Sequence, residues 1–470
     1  MIGSALEPYH HLVYRELAYV FVLLIIALTP AFLDVGIAAW IAPGAVLAFA
    51  LVHPRALVLA VPGAIALSFE PLQLGELQLN VLEVLVAGAI VGYAPRALAY
   101  SWRNRRDIWE RGLLSFESVV PDRFALAIAL LTLVAGFIAL IWMADPDYVS
   151  ESLRTFRWTI LIPVAYVVIA GPVLAVTTHR HLAVVLFLAG AVVSSAIAVV
   201  DGLAGGGIQA DSITRLSGIA PHPNALALVL ERAAVVGVIS ALLVRTRISP
   251  PWMLASVFVL LVTVLTFSRG AVLGMIVGIL LILLLTRAKP LAAFGAGAAA
   301  LVVVGIGVVA PERTLSFAGG GSGSLRFELW RSSVAMIQDH PVTGVGLDQF
   351  LYQYLPRYVS PEAWPERFTS HPHNVLLDVW LSLGIIGVLI AALFAVLWIS
   401  RVRTALRVND RIALAAAGGI IAAFVHGLVD QTYFLPELAM SFWLLVLLLR
   451  SNENVMESDE TGQNHPKGQT

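Results

Sequence analysis

Roughly fourteen apolar runs divide this chain, at about 17–33, 37–52, 55–69, 78–94, 124–143, 157–177, 182–200, 223–244, 252–267, 270–286, 291–310, 374–399, 411–429 and 433–449. A helix built on such a run satisfies its own backbone hydrogen bonds, which is the condition for crossing lipid, where no water can do so. The expected fold is an all-α polytopic membrane protein with about 12–14 transmembrane helices and one large extracytoplasmic loop carrying short helices. The short early pair of runs reads equally well as one re-entrant hairpin. Composition agrees, since 59% of the residues are hydrophobic, 13% are charged and the mean hydropathy is +0.87, well above a soluble globular average. Cysteine is absent, which excludes a disulfide framework and a cysteine-ligated zinc site. The polar start MIGSALEPYHHLVYRE leads into an apolar run with no small-residue cleavage site, so no cleaved signal peptide is expected.

Lys and Arg set the orientation. With the N-terminus in the cytoplasm, every basic cluster falls on the inner side: Arg55, then Arg96, Arg103, Arg105, Arg106 and Arg111, then Arg180, Arg245 and Arg247, Arg287 and Lys289, and Arg401 to Arg411. The outer connections are acidic or mixed, among them Glu70 with Glu76, and Asp145 with Asp147 and Glu151. The expected organisation is a helix bundle over 1–310, an extracytoplasmic loop domain over 311–372, C-terminal transmembrane helices over 373–450 and a disordered cytoplasmic tail over 451–470. The basic residues form no continuous patch, so nucleic acid is not an expected partner.

The loop 311–372 is the long polar interruption of the chain, and it ends at His373 and Asn374, where the next apolar run begins. GGGSGS at 319–324 reads as a flexible entry. SLRFELWRSSVAMIQDHP reads as an amphipathic helix with Leu325, Leu329, Val334 and Ile337 on or near one face, TGVGLDQF as a glycine-hinged turn, and 348–355 as a second short helix. Such a domain suits a lid that keeps water from a reactive intermediate. Its Tyr352, Tyr354, Tyr358 and Trp364 suit either sugar stacking or the domain's own core.

Two arginines break the charge rule. Arg215 lies in the outer segment TRLSGIAPHPN, and Arg269 lies in FSRGAV at the tip of a two-helix hairpin. Arg269 reads equally as an interfacial anchor to lipid phosphate. Glu231 and Arg232 sit about 11 Å inside an apolar run, where an interhelical ion pair is the plainer reading. His426 and Asp430 are spaced one helical turn apart, which would let them orient one another or a catalytic base.

The segments RLSGIAPHPNALA, LTFSRGAVLG, LRFELWRSSVAMIQDHPVTGVGLDQF and HNVLLDVWLSLGIIG, in this order, resemble the O-antigen ligase and polymerase superfamily of bacterial envelope glycosyltransferases. The resemblance covers the C-terminal half. His373 and Asn374, followed after nine residues by Gly384, Ile385, Ile386 and Gly387, fit the family's histidine motif in full. The resemblance implies transfer of a glycan from a polyprenyl pyrophosphate carrier to a glycan, lipid or protein acceptor at the outer face of the bacterial inner membrane. Ligase, polymerase and protein oligosaccharyltransferase share the motif set.

The resemblance also implies that Arg215 and Arg269 contact the donor pyrophosphate and that His373 is the base activating the acceptor. The chemistry agrees with this assignment. Fixed guanidinium groups stabilise a leaving group that gains charge, with no metal or other cofactor needed, and an imidazole with an unperturbed pKa of about 6.5 accepts a proton near neutral pH. By position alone, His373 reads as a solvent-exposed histidine at a helix start. Asn374, or Asp378 one turn on, would orient the ring. Gly384 and Gly387 would let the helix pack closely against a neighbour. Arg326 matches the family's loop arginine, while Arg331, five residues on, does not share its helix face. His371 precedes Pro372 and reads as loop and a substitute base, Asn224 reads as an N-cap, and His222 is close enough in sequence to share a pocket with Arg215. A lipid-linked sugar transporter is the alternative, but it would bring inverted repeats and broken helices to the midplane, and the chain has no such internal symmetry.

Overall fold

Each apolar run coincides with a helix in the computed structural model, which describes residues 10–32, 38–74, 77–103, 122–210, 213–243, 250–309 and 322–450. Helices α1 (His10–Phe32), α2 (Ala38–Val52), α3 (Pro54–Ala64) and α4 (Val81–Arg103) come first, with a small hairpin of β1 (Leu72–Leu74) and β2 (Leu77–Leu79) before α4. Then follow α5 (Arg123–Ile141), α6 (Val149–Phe156), which continues through a π-turn at Arg157–Leu161 into α7 (Ile162–Leu174), and α8 (Thr177–Leu203). A second hairpin, β3 (Ile208–Ala210) with β4 (Ile213–Arg215), pairs Ile208 with Arg215 and was not expected from the sequence. Next come α9 (Pro223–Leu243), α10 (Pro250–Leu265), α11 (Arg269–Leu285), α12 (Lys289–Val309), α13 (Ser322–Asp339) and α14 (Phe350–Gln353). The chain closes with α15 (Val375–Val408), α16 (Arg411–Gly427) and α17 (Pro436–Leu448).

The protein is thus an all-α polytopic membrane protein. Among the described residues, seven helices are long and apolar enough to cross a bilayer, and shorter apolar helices fill the bundle between them. α9 lies at its centre with 83% of its spanning window buried, whereas the α12 window is 6% buried and turns its apolar side chains outward. α11 rests on α16 because Gly274 and Gly278 face the carbonyls of Ala422 and Gly418, the small-residue contact that lets apolar helices approach. One end of the bundle is tied by Arg180, which donates to Asp410 at 3.0 Å and to the Leu448 carbonyl at 2.7 Å, and by Arg401 on Asp122. Glu76, Arg105, Arg106, Arg111, Arg245, Arg247, Gly319 to Gly321 and the tail lie outside the described residues.

The opposite end carries the 322–374 segment. α13 begins at Ser322, so the second half of the glycine–serine stretch belongs to the helix. Its inward stripe is Leu329, Ser333 and Met336, a spacing of four and three residues; Val334, expected on that face, is 45% exposed. Leu329, Met336, Val345, Phe350 and Tyr354 pack with Leu381 of α15. Tyr354 is therefore core, Tyr352 stacks on Tyr148, Tyr358 donates to Asp339, and Trp364 stays exposed.

The segment is locked to the bundle on two sides. Ser152 donates to the Leu347 carbonyl and Ala144 N–H to the Val345 carbonyl. α15 breaks at Gly384, whose φ of 66° and ψ of −164° leave the helix, and the turn after α13 enters the gap: Val345 and Gly346 donate to the Leu381 carbonyl, and Ile385 donates to Val342. Gly384 was expected to pack against a neighbouring helix. A Cβ there would stand 2.2 Å from the Val342 oxygen, so its neighbour is a loop backbone.

Candidate active site

His373 has a left-handed backbone, with φ of 51°, immediately before α15. That conformation is uncommon outside glycine and marks a residue held by its surroundings. Trp330 of α13 donates to the His373 carbonyl at 3.3 Å, and Asn374 caps α15 by accepting from Leu376 and Leu377 N–H. Asn374 was expected to orient the histidine ring, but its amide donates to the Leu428 carbonyl.

The residue that meets the ring is Asp430, in the turn after α16. His373 Nδ1 lies 2.9 Å and His371 Nε2 3.5 Å from Asp430 Oδ1, and the two ring nitrogens are 3.1 Å apart. The Gln431 backbone N–H also donates to Oδ1. On the other oxygen, Asn224 Nδ2 donates to Oδ2 at 3.0 Å and Arg326 stands 3.8 Å away. Arg215 donates through Nε to the Thr266 carbonyl at 2.8 Å and through Nη2 to Asn224 Oδ1 at 2.6 Å. A continuous chain therefore joins Arg215, Asn224, Asp430 and His373. Burial alone would raise the Asp430 carboxyl, but the hydrogen bonds from His371 and His373 outweigh it and hold Asp430 well below the usual carboxylate range.

Of the expected site residues, His373, His371 and Arg326 meet at Asp430, and Arg215 reaches it through Asn224. His222 is exposed, and its ring accepts from Asn224 N–H, so the histidine caps α9 and frees the Asn224 side chain for the bridge. Asp378 is buried, and the carboxylate that meets the His373 ring is Asp430 instead. Arg269 opens α11, next to Ser268. Glu231 and Arg232 point apart, as adjacent helical residues must. Glu231 takes His426 Nδ1 at 2.8 Å, and the other ring nitrogen of His426 lies 3.3 Å from Ser268 Oγ. Arg232 donates to the Leu438 and Thr432 carbonyls and to the Thr432 and Ser441 hydroxyls.

His371, His373 and Asp430 present ligand atoms within 4.8 Å of one another, a donor set that suits zinc as well as a hydrogen-bonded cluster. Arg326 and the Asn224–Arg215 bridge on the second carboxylate oxygen already supply positive charge and hydrogen bonds there. With Asp430 accepting at Nδ1, that nitrogen carries the proton and His373 Nε2 keeps its lone pair, the arrangement of a general base.

Comparison with known proteins gives two findings. The O-antigen ligase family model matches residues 254–392, which take in α10 to α14 and the start of α15 with His373, but not Arg215, Asn224 or Asp430. An O-antigen ligase of Salmonella typhimurium is 32% identical over 134 residues, 26% of this chain and 32% of that protein, so the chain spans about a third of the length of the curated relative it matches. Residues 254–392 of this polytopic membrane protein are thus similar to the O-antigen ligase family.

Proposed function

We propose that the protein is a membrane glycosyltransferase that moves a glycan from a polyprenyl pyrophosphate carrier to an acceptor hydroxyl at the outer face of the bacterial inner membrane. The observation that carries this reading is the Arg215–Asn224–Asp430–His373 chain, which joins a guanidinium to a carboxylate-oriented imidazole at one end of the bundle. The acceptor oxygen attacks the anomeric carbon, its proton passes to His373 Nε2, and the bond from that carbon to the pyrophosphate oxygen breaks with its electron pair on the leaving group. Arg269, and Arg215, which also braces Asn224, stabilise the charge that develops there, more strongly in the transition state than in the bound donor. No metal takes part in this scheme.

The test uses purified protein in lipid nanodiscs with a polyprenyl pyrophosphate glycan and a panel of lipid, glycan and protein acceptors. Acceptor-dependent release of polyprenyl pyrophosphate is expected from wild type, to fall about 10²–10⁴-fold in His373→Ala and strongly in Arg269→Ala, and to survive dialysis against a chelator. A ladder of products marks repeated extension and a single product marks one ligation. Loss of activity on dialysis, restored by zinc, would make the histidine–aspartate cluster a metal site instead. Labelled donor crossing the bilayer with no release in any arm would replace the transferase with a transporter.

A further inference from the structure

A cavity of about 160 Å³ lies beside the His–Asp cluster, walled by the π-turn between α6 and α7, the turn after α13, the first turns of α15 and the turn after α16. Trp158, Phe350 and Phe434 give it apolar surface, and Asp348, Asp378 and Gln431 give it hydrogen-bonding groups. Two of its walls are departures from regular helix. The π-turn carries Trp158 and Thr159, and irregularities of this kind are concentrated at functional sites. The break at Gly384 lets the 342–346 turn bond the Leu381 carbonyl, which brings Gly346 and Phe350 against α15.

The lining selects a ligand class. Aromatic rings pack against the C–H faces of a pyranose, and carboxylates accept hydrogen bonds from its hydroxyls. Arg154 on the same wall pairs with Asp348 at 3.5 Å, so the negative charge of the lining falls mainly on Asp378, which opposes a phosphate or an acidic sugar. The cavity adjoins the cluster through two wall residues: Ser370 lies 3.2 Å from His371 Nδ1, and the Gln431 N–H donates to Asp430 Oδ1. Arg215 reaches the same carboxylate from the other oxygen, through Asn224. The cavity and the arginine therefore approach the His373–Asp430 pair separately.

We propose that this cavity is the acceptor subsite and holds one neutral sugar ring, with Asp378 and Trp158 as its principal contacts, so that a hydroxyl of that ring or its neighbour reaches His373. The assignment rests on the transferase reading for the word acceptor, and on the cavity alone for the sugar.

The experiment has two arms. In the first, nanodisc-embedded protein is titrated with the methyl α-pyranosides of glucose, galactose and mannose and with methyl glucuronide, and binding is read by saturation-transfer NMR. At least one neutral glycoside is expected to bind and to weaken about tenfold or more in Asp378→Asn, which keeps the side-chain volume, and in Trp158→Ala. Glucuronide is expected to bind more weakly than the neutral sugars. In the second arm, Asp378→Asn raises the acceptor KM about tenfold in the transfer assay while the donor KM stays within about twofold. Trp158 also donates to Glu83, so Asp378→Asn decides the matter if Trp158→Ala is unstable.

No binding of any neutral glycoside, equal binding of glucuronide, or wild-type binding and acceptor KM in Asp378→Asn would overturn the subsite. Sugar binding that responds to the variants without any pyrophosphate release keeps the sugar site and removes the transferase. Release with an unchanged acceptor KM does the reverse.

Discussion

At the scale of single residues, Asp430 was partly legible. Its spacing of four from His426 suggests that it pairs with that residue or orients a catalytic base. α16 ends at Gly427, so Asp430 lies in a turn and meets the His371–His373 pair, in keeping with the second alternative. His373 was legible because its motif is local. Its partners, at 224 and 430, are brought by the fold, and no spacing rule reaches them. The depressed Asp430 carboxyl has a consequence for pH. A carboxylate held below its unfolded value contributes stability that is complete above about pH 3.9 and is lost as pH falls through the depressed value. Thermal unfolding of wild type and Asp430→Asn is therefore expected to differ at pH 5 and above, with the difference shrinking below about pH 3.9. A difference that instead grows on acidification would mean that Asp430 is protonated in the folded protein.

At the scale of elements, hydropathy located every described membrane helix but not the irregularities inside them. The run 374–399 has no proline, and Gly384 and Gly387 read as small packing residues, so nothing local announced that α15 breaks at Gly384 to admit a turn some forty residues upstream. The π-turn at Arg157–Leu161 was equally silent, because it changes hydrogen bonding without changing the apolar pattern. The α13 stripe was misread by one position because Ser333, which looks polar, is buried with its hydroxyl on the Leu329 carbonyl. Gly384→Ala meets both an unfavourable φ and the Val342 oxygen, and is expected to cost about 1–3 kcal/mol or more, read as a lowered Tm in detergent or nanodiscs. An unchanged Tm would mean that the break is not required by the turn.

At the scale of the whole molecule, Arg180 on Asp410 and Arg401 on Asp122 tie one end of the bundle, and the histidine cluster lies at the other. The proposed orientation puts the tied end in the cytoplasm, on the strength of the Lys and Arg distribution. A chain without cysteine suits a direct test of that orientation. Trp364→Cys, exposed near the histidine cluster, is expected to react with a membrane-impermeant maleimide on spheroplasts, and Arg403→Cys only after the membrane is opened. The opposite pattern would invert the topology and move the proposed chemistry to the cytoplasmic face. The same end holds the 322–374 segment, whose Trp330 donates to the His373 carbonyl, so this segment is part of the site's architecture.

The central claim is that His373 and Asp430 act as one unit on the acceptor proton. It is tested most directly by the rate of acceptor-dependent polyprenyl pyrophosphate release in wild type, His373→Ala, Asp430→Asn and the double variant. If Asp430 works through His373, the double variant is no slower than His373→Ala alone. Losses that multiply would show two independent contributions and contradict the pairing on which the proposed mechanism stands.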